Sequence, residues 1–260
     1  MLLVIDVGNT NTVLGVFEGK ELRAQWRLST NRRQTADEYG ILIRNLFELD
    51  GVEPASIDGV MLASVVPPLN SVLEEMSAKY FQIKAVFLSP GTRTGMAIHY
   101  DNPQEVGADR IADSVAAFEK YGGPCVVVDF GTAITFDAIS EKGEYLGGVI
   151  APGLGISSEA LFQQAARLPR VEIREPNRVI GTNTVGSMQS GLFYGAVGLV
   201  DGILDRLSAV LGPKMKVVAT GGQASLVAAA SKYKPPVDPS LTLEGLRIIY
   251  ERNPPGARPH

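Results

Sequence analysis

The stretch VIDVGNT at residues 4–10 indicates the fold, because a counterpart, VVDFGTA, occupies residues 127–133. In both copies an apolar run ends in Asp-x-Gly followed by a polar residue, and 123 residues separate Asp6 from Asp129. Such apolar runs predict buried strands, and the glycine and polar residue after them predict a tight turn. Because hairpin-like strands follow each copy, the chain is predicted to contain two related lobes.

The elements around the repeat indicate a mixed α/β protein. We predict strands at 2–6, 13–17, 21–28, 60–66, 85–88, 126–129, 133–140, 143–150 and 216–219. We predict helices at 36–47, with Thr35 as the N-cap, and at 69–81, 111–118, 154–167 and 186–211. The lobes are predicted to span residues 1–115 and 116–260, and the Pro-rich tail after Pro254 is predicted to be frayed.

Composition narrows the classes of function. The 260 residues carry a formal net charge of −4 with 45% hydrophobic residues, which is ordinary for a globular protein. No basic run appears, so nucleic acid is not an expected partner. A single cysteine, Cys125, cannot form an internal disulfide, and its apolar neighbours favour a buried side chain over a reactive thiol. With only His99 and His260, Ser-His and His-rich zinc chemistry are disfavoured.

The N-terminal segment does not resemble a targeting signal. No basic region precedes the apolar run at residues 2–5, and Asp6 ends it. No apolar stretch in the sequence approaches the length that spans a bilayer. The expectation is a cytoplasmic protein without a membrane partner.

The repeated turn favours phosphate binding. A carboxylate at the end of a buried strand is costly unless a cation pairs with it, and Gly8 would let backbone N–H groups approach an anion. Asn9, Thr10 and Asn11 add short polar groups, so Asp6 is placed to hold Mg²⁺ beside a phosphate. A plain turn is the alternative for one copy, and two matched copies favour phosphate. The sequence contains no P-loop motif.

A third strand-turn, ATGG at residues 219–222, would allow close contact with the ribose or adenine of a nucleotide. Alone it is a weak signal, and a helix-initiating turn is the alternative. The set of three turns resembles that of the actin, sugar kinase and Hsp70 superfamily. This resemblance implies an α/β fold of two duplicated actin-like (ribonuclease H-like) lobes with an ATP cleft between them.

The segment GADR at residues 107–110 is the candidate acceptor site. It lies at a predicted helix start, where N–H groups and the helix dipole favour an anion. The planar fork of Arg110 suits a carboxylate, and Asp109 is a candidate general base. The alternative is that Asp109 only stabilises its own helix while Arg110 is solvated.

An ordered set of motifs, which covers residues 1 to about 222, resembles that of the type III pantothenate kinases. The members are DVGNTN at 6–11, HYDNP at 99–103, GADR at 107–110, DFGT at 129–132, GGVIAPG at 147–153, NTVGSMQSG at 183–191 and TGG at 220–222. Each motif alone is moderately specific. Residues after Lys234 carry none of the pattern.

The resemblance implies ATP-dependent phosphorylation of pantothenate to 4'-phosphopantothenate, with Asp109 as the general base. Asp129 would lie at a monovalent cation, K⁺ or ammonium, and Asp6 would hold Mg²⁺. The implied ATP-binding residues are Asp6, Val7, Gly8, Asn9, Thr10, Asn11, Thr12, Val13 and Thr132. The implied pantothenate-binding residues are Tyr100, Gly107, Ala108, Asp109, Arg110 and Thr184, the last across a homodimer interface.

Two alternatives stay open. Another actin-fold phosphotransferase or phosphohydrolase, such as an acetate kinase or an exopolyphosphatase, would share the phosphate turns and differ at residues 107–110. A non-catalytic transcription accessory protein is the second, although it would not need the acids Asp6 and Asp129. The apolar stripes at 154–162 and 192–207 favour core packing over an interface, so the dimer rests on the resemblance.

Overall fold

A computed structural model describes residues 1–254, so the predicted fraying of the tail lies outside the described residues. The strands are β1 (Leu2–Val7), β2 (Asn11–Glu18), β3 (Glu21–Ser29), β4 (Gly59–Ser64), β5 (Val86–Phe87), β6 (Cys125–Phe130), β7 (Ala133–Ile139), β8 (Tyr145–Pro152) and β9 (Lys216–Thr220). The helices are α1 (Ala36–Leu49), α2 (Asn70–Phe81), α3 (Ala108–Tyr121), α4 (Leu154–Gln164), α5 (Thr184–Leu211), α6 (Ala224–Ala228) and α7 (Leu241–Arg252). Short 3₁₀ turns occupy Pro54–Ser56, Pro67–Leu69 and Pro103–Glu105.

The chain forms two compact units. The first contains residues 1–97, 101–116 and 241–254, and the second contains 98–100 and 117–240. This division departs from a single cut after residue 115, because α7 at the end of the chain packs on β1, β2 and β4. Nothing in residues 1–254 forms a helix with the length and apolarity required to cross a membrane.

The first unit has a five-stranded sheet in the order β3-β2-β1-β4-β5. β1 runs antiparallel to β2 and parallel to β4. Its apolar core includes Ile5, Leu14, Ile43 and Leu62, all fully buried. Helix α1 begins at the predicted cap, Thr35, whose hydroxyl accepts the N–H of Glu38 in a capping box.

The second unit repeats this arrangement with a four-stranded sheet in the order β8-β7-β6-β9. β6 runs antiparallel to β7 and parallel to β9, as β1 does to β2 and β4. Strands β1 and β6 start and end 123 residues apart and have the same burial along their length, with Asp6 and Asp129 as the only partly exposed positions. The predicted duplication in an α/β fold is confirmed.

Several predicted bounds differ from the structure. Strand β4 ends at Ser64 rather than at residue 66, and a 3₁₀ turn begins at Pro67. Helix α4 ends at Gln164, three residues before the predicted end. Helix α5 begins at Thr184, because the side chain of Asn183 accepts the N–H of Gly186 and caps the helix. Helices α6 and α7 were not predicted.

Helix α7 is packed so closely that its glycine has no room for a side chain. A Cβ atom on Gly245 would lie 2.0 Å from the backbone oxygen of Ala112 in α3. The residues around it, Leu243 and Leu246, are almost completely buried. The glycine therefore permits α7 to approach the backbone of α3, the helix that begins with the GADR segment.

We predict that Gly245→Ala destabilises the protein by about 1–3 kcal/mol, measured as the free energy of unfolding in urea. In an ordinary helix interior the same change stabilises by about 0.5–1 kcal/mol. The control is Gly155→Ala in α4, where no atom lies within 4 Å of the added Cβ. A stability of Gly245→Ala equal to or above that of the wild type would contradict the close approach of α7 and α3.

Candidate active site

The first Asp-x-Gly turn joins β1 to β2 in the first unit. The N–H of Gly8 donates to the backbone oxygen of Asn11 at 2.9 Å and closes the turn. Asn9 and Thr10 at its tip are exposed, and the N–H of Asn9 has no acceptor among residues 1–254. The turn thus presents a backbone donor that an anion could accept.

Thr30, which directly follows β3, braces this turn from the side. The Thr30 N–H donates to the backbone oxygen of Thr10 at 2.9 Å. The Thr30 hydroxyl donates to the backbone oxygen of Gly8 at 2.7 Å. The same hydroxyl lies 3.0 Å from that of Thr12, which is fully buried. Sequence reasoning missed Thr30.

Two charged groups flank the first turn. Asp6, the partly exposed residue of β1, places its carboxylate one residue before the turn begins. Arg32 donates from Nη2 to Oδ1 of Asn9 at 2.9 Å, which holds a guanidinium at the tip. Mg²⁺ in phosphotransfer sites is commonly bound by one or two carboxylates together with substrate phosphates. A single acid beside an exposed turn, as at Asp6, fits that requirement.

The second Asp-x-Gly turn holds its carboxylate between two glycines. A Cβ atom on Gly221 would lie 2.2 Å from Oδ1 of Asp129, and one on Gly131 would lie 3.2 Å from Oδ2. Gly221 also has a φ of +94°, which non-glycine residues rarely adopt. The predicted third strand-turn therefore contacts the acid of the second turn, because β9 pairs with β6 and Asp129 lies opposite Thr220.

The tip of the second turn is braced by the end of β8. A Cβ atom on Gly153 would lie 2.2 Å from the backbone oxygen of Thr132 and 2.8 Å from that of Gly131. Thr132 is exposed, and the N–H of Gly131 donates to no acceptor within the described chain. The second turn, like the first, thus has a backbone donor that an anion could accept.

The GADR segment forms the start of α3, as predicted. Oδ1 of Asp109 accepts the N–H of Arg110 at 2.8 Å, so the carboxylate folds back over the helix start. A Cβ atom on Gly107 would lie 2.4 Å from the same oxygen. Gly107 therefore leaves the space that the carboxylate occupies.

Burial distinguishes this pair from an ordinary helix start. Burial raises the pKa of Asp109, against the opposing effect of the Arg110 N–H and guanidinium. The side chain of Arg110 is itself 9% exposed, so the alternative in which Arg110 is solvated is wrong. An acid with a raised pKa beside a buried guanidinium is typical of a functional site.

Tyr100 lies in the second unit on a short segment that joins the edge of its sheet. Ile98 forms a parallel bridge with Tyr145, and the N–H of His99 donates to the Tyr145 backbone oxygen at 2.9 Å. The rings of Tyr100 and Tyr145 have centroids 6.3 Å apart. The Tyr145 hydroxyl donates to the fully buried Asp137 at 2.8 Å. Tyr100 thus packs on a tyrosine that a buried carboxylate orients.

Thr184 is the first residue of α5 and lines an open groove of about 730 Å³ in the second unit. Its wall is partly apolar, with contributions from Leu161, Met188 and Leu192. Nearby side chains Val179 and Ile180 are 64% and 80% exposed. The groove is therefore a surface on which a further molecule could bury apolar area.

Cys125 is free and buried in β6, as predicted. Burial raises the pKa of its thiol to about 12, so it stays protonated and unreactive at neutral pH.

Across the described part of the chain, no three His, Cys, Asp or Glu side chains come together as a metal cluster.

Known proteins resemble this chain along nearly its whole length. The family model for type III pantothenate kinase matches residues 2–206. A type III pantothenate kinase from Koribacter versatilis is 60% identical, over 99% of this chain and 98% of that protein.

Two solved structures share the fold at low sequence identity. One, described as a candidate Baf family transcriptional activator from Campylobacter jejuni, has a TM-score of 0.61 at 23% identity and covers 97% of this chain and 98% of its own. The other is a ROK family glucokinase from Streptomyces griseus in complex with glucose and AMPPNP. It has a TM-score of 0.54 at 11% identity and covers 96% of this chain and 98% of its own. These likenesses support the two-lobed, actin-like fold. By its family model and its full-length similarity, the chain belongs to the type III pantothenate kinase family.

Proposed function

We propose that this protein transfers the γ-phosphoryl group of ATP to the primary hydroxyl of pantothenate, the first step of coenzyme A synthesis. One observation carries the proposal: the half-buried Asp109, whose pKa is raised by desolvation, and the buried Arg110 open α3 in a chain that matches the family model from residue 2 to residue 206. Phosphoryl transfer asks the protein mainly for positioning and charge neutralisation. A half-buried acid held by the Arg110 N–H at 2.8 Å, beside a buried guanidinium, can supply both.

Asp109 is the proposed general base. Its carboxylate accepts the proton of the pantothenate hydroxyl as that oxygen bonds to the γ-phosphorus, while the bond to the bridging oxygen breaks and ADP leaves. Arg110 forms an ion pair with the pantothenate carboxylate, for which a planar guanidinium is well suited. Gly107, Ala108, Tyr100 and Thr184 complete the proposed pantothenate site.

The proposed nucleotide site uses residues of both Asp-x-Gly turns. Asp6 would hold the Mg²⁺ that accompanies ATP, residues 7–13 line the ATP phosphates, and Thr132 binds phosphate from the second turn. Mg²⁺, when bound, neutralises charge on the phosphates. Asp129 would hold a monovalent cation, K⁺ or ammonium, and Gly131 and Gly221 leave the space that its carboxylate occupies.

An assay of ADP formation tests the proposal. We expect ADP release that depends on pantothenate and Mg²⁺ and rises when K⁺ is added. Release with acetate, a sugar or polyphosphate in place of pantothenate would favour another actin-fold enzyme. Nucleotide binding without turnover would favour an accessory protein, the class suggested by the name of the Campylobacter jejuni structure.

We also propose a homodimer, in which a second copy covers the groove beside Thr184. The support is the partly apolar wall of the groove, to which Leu161, Met188 and Leu192 contribute, and the exposed Val179 and Ile180 just before its residues Gly181 and Thr182. Sedimentation equilibrium would give twice the mass of the 27.7 kDa chain, and a monomer at micromolar concentration would contradict the proposal. We further propose a cytoplasmic location, with no nucleic-acid or membrane partner.

A further inference from the structure

The position that follows the third strand has the same role in both units. Thr30 directly follows β3, and Gly153 directly follows β8; they are 123 residues apart, as are Asp6 and Asp129. Each contacts the backbone of the Asp-x-Gly turn in its own unit. Thr30 does so through hydrogen bonds, and Gly153 through an approach that leaves no space for a Cβ atom.

The bonds made by Thr30 determine which way two peptide groups of the first turn face. A peptide unit is planar and trans, so its C=O and N–H point in opposite directions. The Thr30 hydroxyl holds the oxygen of Gly8 at 2.7 Å, which directs the N–H of Asn9 away from Thr30. The Thr30 N–H holds the oxygen of Thr10 at 2.9 Å, which directs the N–H of Asn11 in the same way.

The single proton of the Thr30 hydroxyl is used in the bond to the Gly8 oxygen. A threonine hydroxyl has one proton, and a carbonyl oxygen can only accept, so the Thr30 proton goes to Gly8. In the 3.0 Å contact with Thr12 the Thr30 oxygen must then be the acceptor. Thr12 is fully buried, so the Thr30 side chain is anchored on the core while it holds the exposed turn.

We propose that Thr30 is a positioning residue of the phosphate site: its hydroxyl orients the peptide between Gly8 and Asn9 so that the Asn9 N–H points toward the phosphate. The proposal rests on the proposed role of residues 6–13 in ATP binding. The N–H of Asn9 has no acceptor within the described residues. It can therefore donate to a phosphate oxygen of a bound nucleotide. In the second unit Gly153 has the corresponding position at the turn that contains Thr132.

Thr30→Val and Thr30→Ser test the role of the hydroxyl. Valine keeps the shape and the backbone N–H but leaves the Gly8 oxygen without its donor, whereas serine keeps the donor. We expect Thr30→Val to raise the Kd of Mg-ATP and the KM for ATP about tenfold, with the KM for pantothenate unchanged. We expect Thr30→Ser to bind Mg-ATP nearly as tightly as the wild type.

A matched control separates positioning from stability. The Thr92 hydroxyl also donates to a backbone oxygen, that of Phe87 at 3.3 Å, in the same unit but outside the turn. We expect Thr92→Val to leave the Kd of Mg-ATP unchanged even where its melting temperature falls. Hydrogen exchange should show faster exchange of the Thr30 and Gly8 amides in Thr30→Val than in Thr92→Val.

The outcomes distinguish this inference from the proposed function. If Thr30→Val binds Mg-ATP as the wild type does, or if Thr30→Ser weakens binding equally, the positioning role is wrong. Binding is measured by calorimetry on the folded proteins, so the test does not depend on turnover. If the wild type binds Mg-ATP but does not phosphorylate pantothenate, the proposed reaction fails while the Thr30 comparison still gives its answer.

Discussion

Replacing Asp109 with Asn is expected to lower kcat by about 10²–10⁴-fold, the range typical of a lost general base. Asparagine has nearly the same shape, and its Oδ1 can still accept the Arg110 N–H that Asp109 accepts at 2.8 Å. The fold should therefore be intact by circular dichroism. Steady-state ADP release measures the loss. Near-full turnover of Asp109→Asn would remove Asp109 from the mechanism.

Asp109→Asn should raise the stability of the protein although it lowers the activity. Because burial raises the pKa of Asp109 above its usual value of 3.8, ionisation of this carboxyl opposes folding. The penalty is absent below the unfolded pKa, grows as pH rises between the unfolded and folded values, and is constant above the folded value. Asp109→Asn should thus unfold at a higher temperature than the wild type at pH 7–8, and this advantage should vanish below about pH 4.

The pH dependence of activity follows from the same shift. A general base must be ionised, so kcat/KM of the wild type should fall as pH drops through the raised pKa of Asp109. Gly107→Ala is an informative companion, because its Cβ atom would lie 2.4 Å from the carboxylate oxygen. This variant retains the carboxylate but displaces it, so we expect a smaller loss of kcat than in Asp109→Asn. The fall of kcat/KM at low pH should still be present, because the base is still there to be protonated.

The duplicated strands could be predicted because their signal is local. β1 and β6 are apolar runs followed by Asp-x-Gly, and the repeat supplied a second copy against which to check the first. Their bounds in the structure match to the residue at an offset of 123. The start of α3 at GADR was likewise predictable, since the amphipathic helix follows immediately.

Helix α7 could not be predicted because its packing hides the usual pattern. It contains Gly245, normally a sign against a helix interior, and a buried charged residue, Arg247. The guanidinium of Arg247 lies 5.7 Å from the centre of the Phe17 ring and pairs with Glu251. Glycine and arginine are explained only by what α7 packs against, and those partners are remote in sequence.

The bracing residues were missed for a related reason. Thr30 acts through backbone groups about 20 residues away in sequence, and threonine after a strand carries no distinctive signal. The repeat could have identified it, because the offset that relates Asp6 to Asp129 also relates Thr30 to Gly153. The nucleotide contact predicted for the turn that contains Gly221 stays a prediction, and nothing in the sequence indicated that Gly221 lies beside Asp129.

Gly221→Ala is expected to abolish most activity, because an added methyl would displace Asp129. The new Cβ atom would lie 2.2 Å from Oδ1 of Asp129 and 2.6 Å from the backbone nitrogen of Phe130. An L-residue at a φ of +94° adds backbone strain of about 1–2 kcal/mol. We expect at least a hundredfold loss of kcat/KM, the size seen when one preorganised electrostatic group is removed, and a lower melting temperature.

Gly212→Ala separates the effect of backbone strain from the effect of displacing the Asp129 carboxylate. Gly212, just after α5, has a φ of +90°, but no atom lies within 4 Å of an added Cβ. It should show the backbone strain alone, as a loss of about 1–2 kcal/mol in unfolding free energy, with kcat/KM and the response to K⁺ unchanged. If Gly221→Ala lost only as much activity as Gly212→Ala, then the position of the Asp129 carboxylate would not matter to catalysis. A selective loss of K⁺ activation in Gly221→Ala would instead assign the cation to Asp129, because only that variant moves the carboxylate.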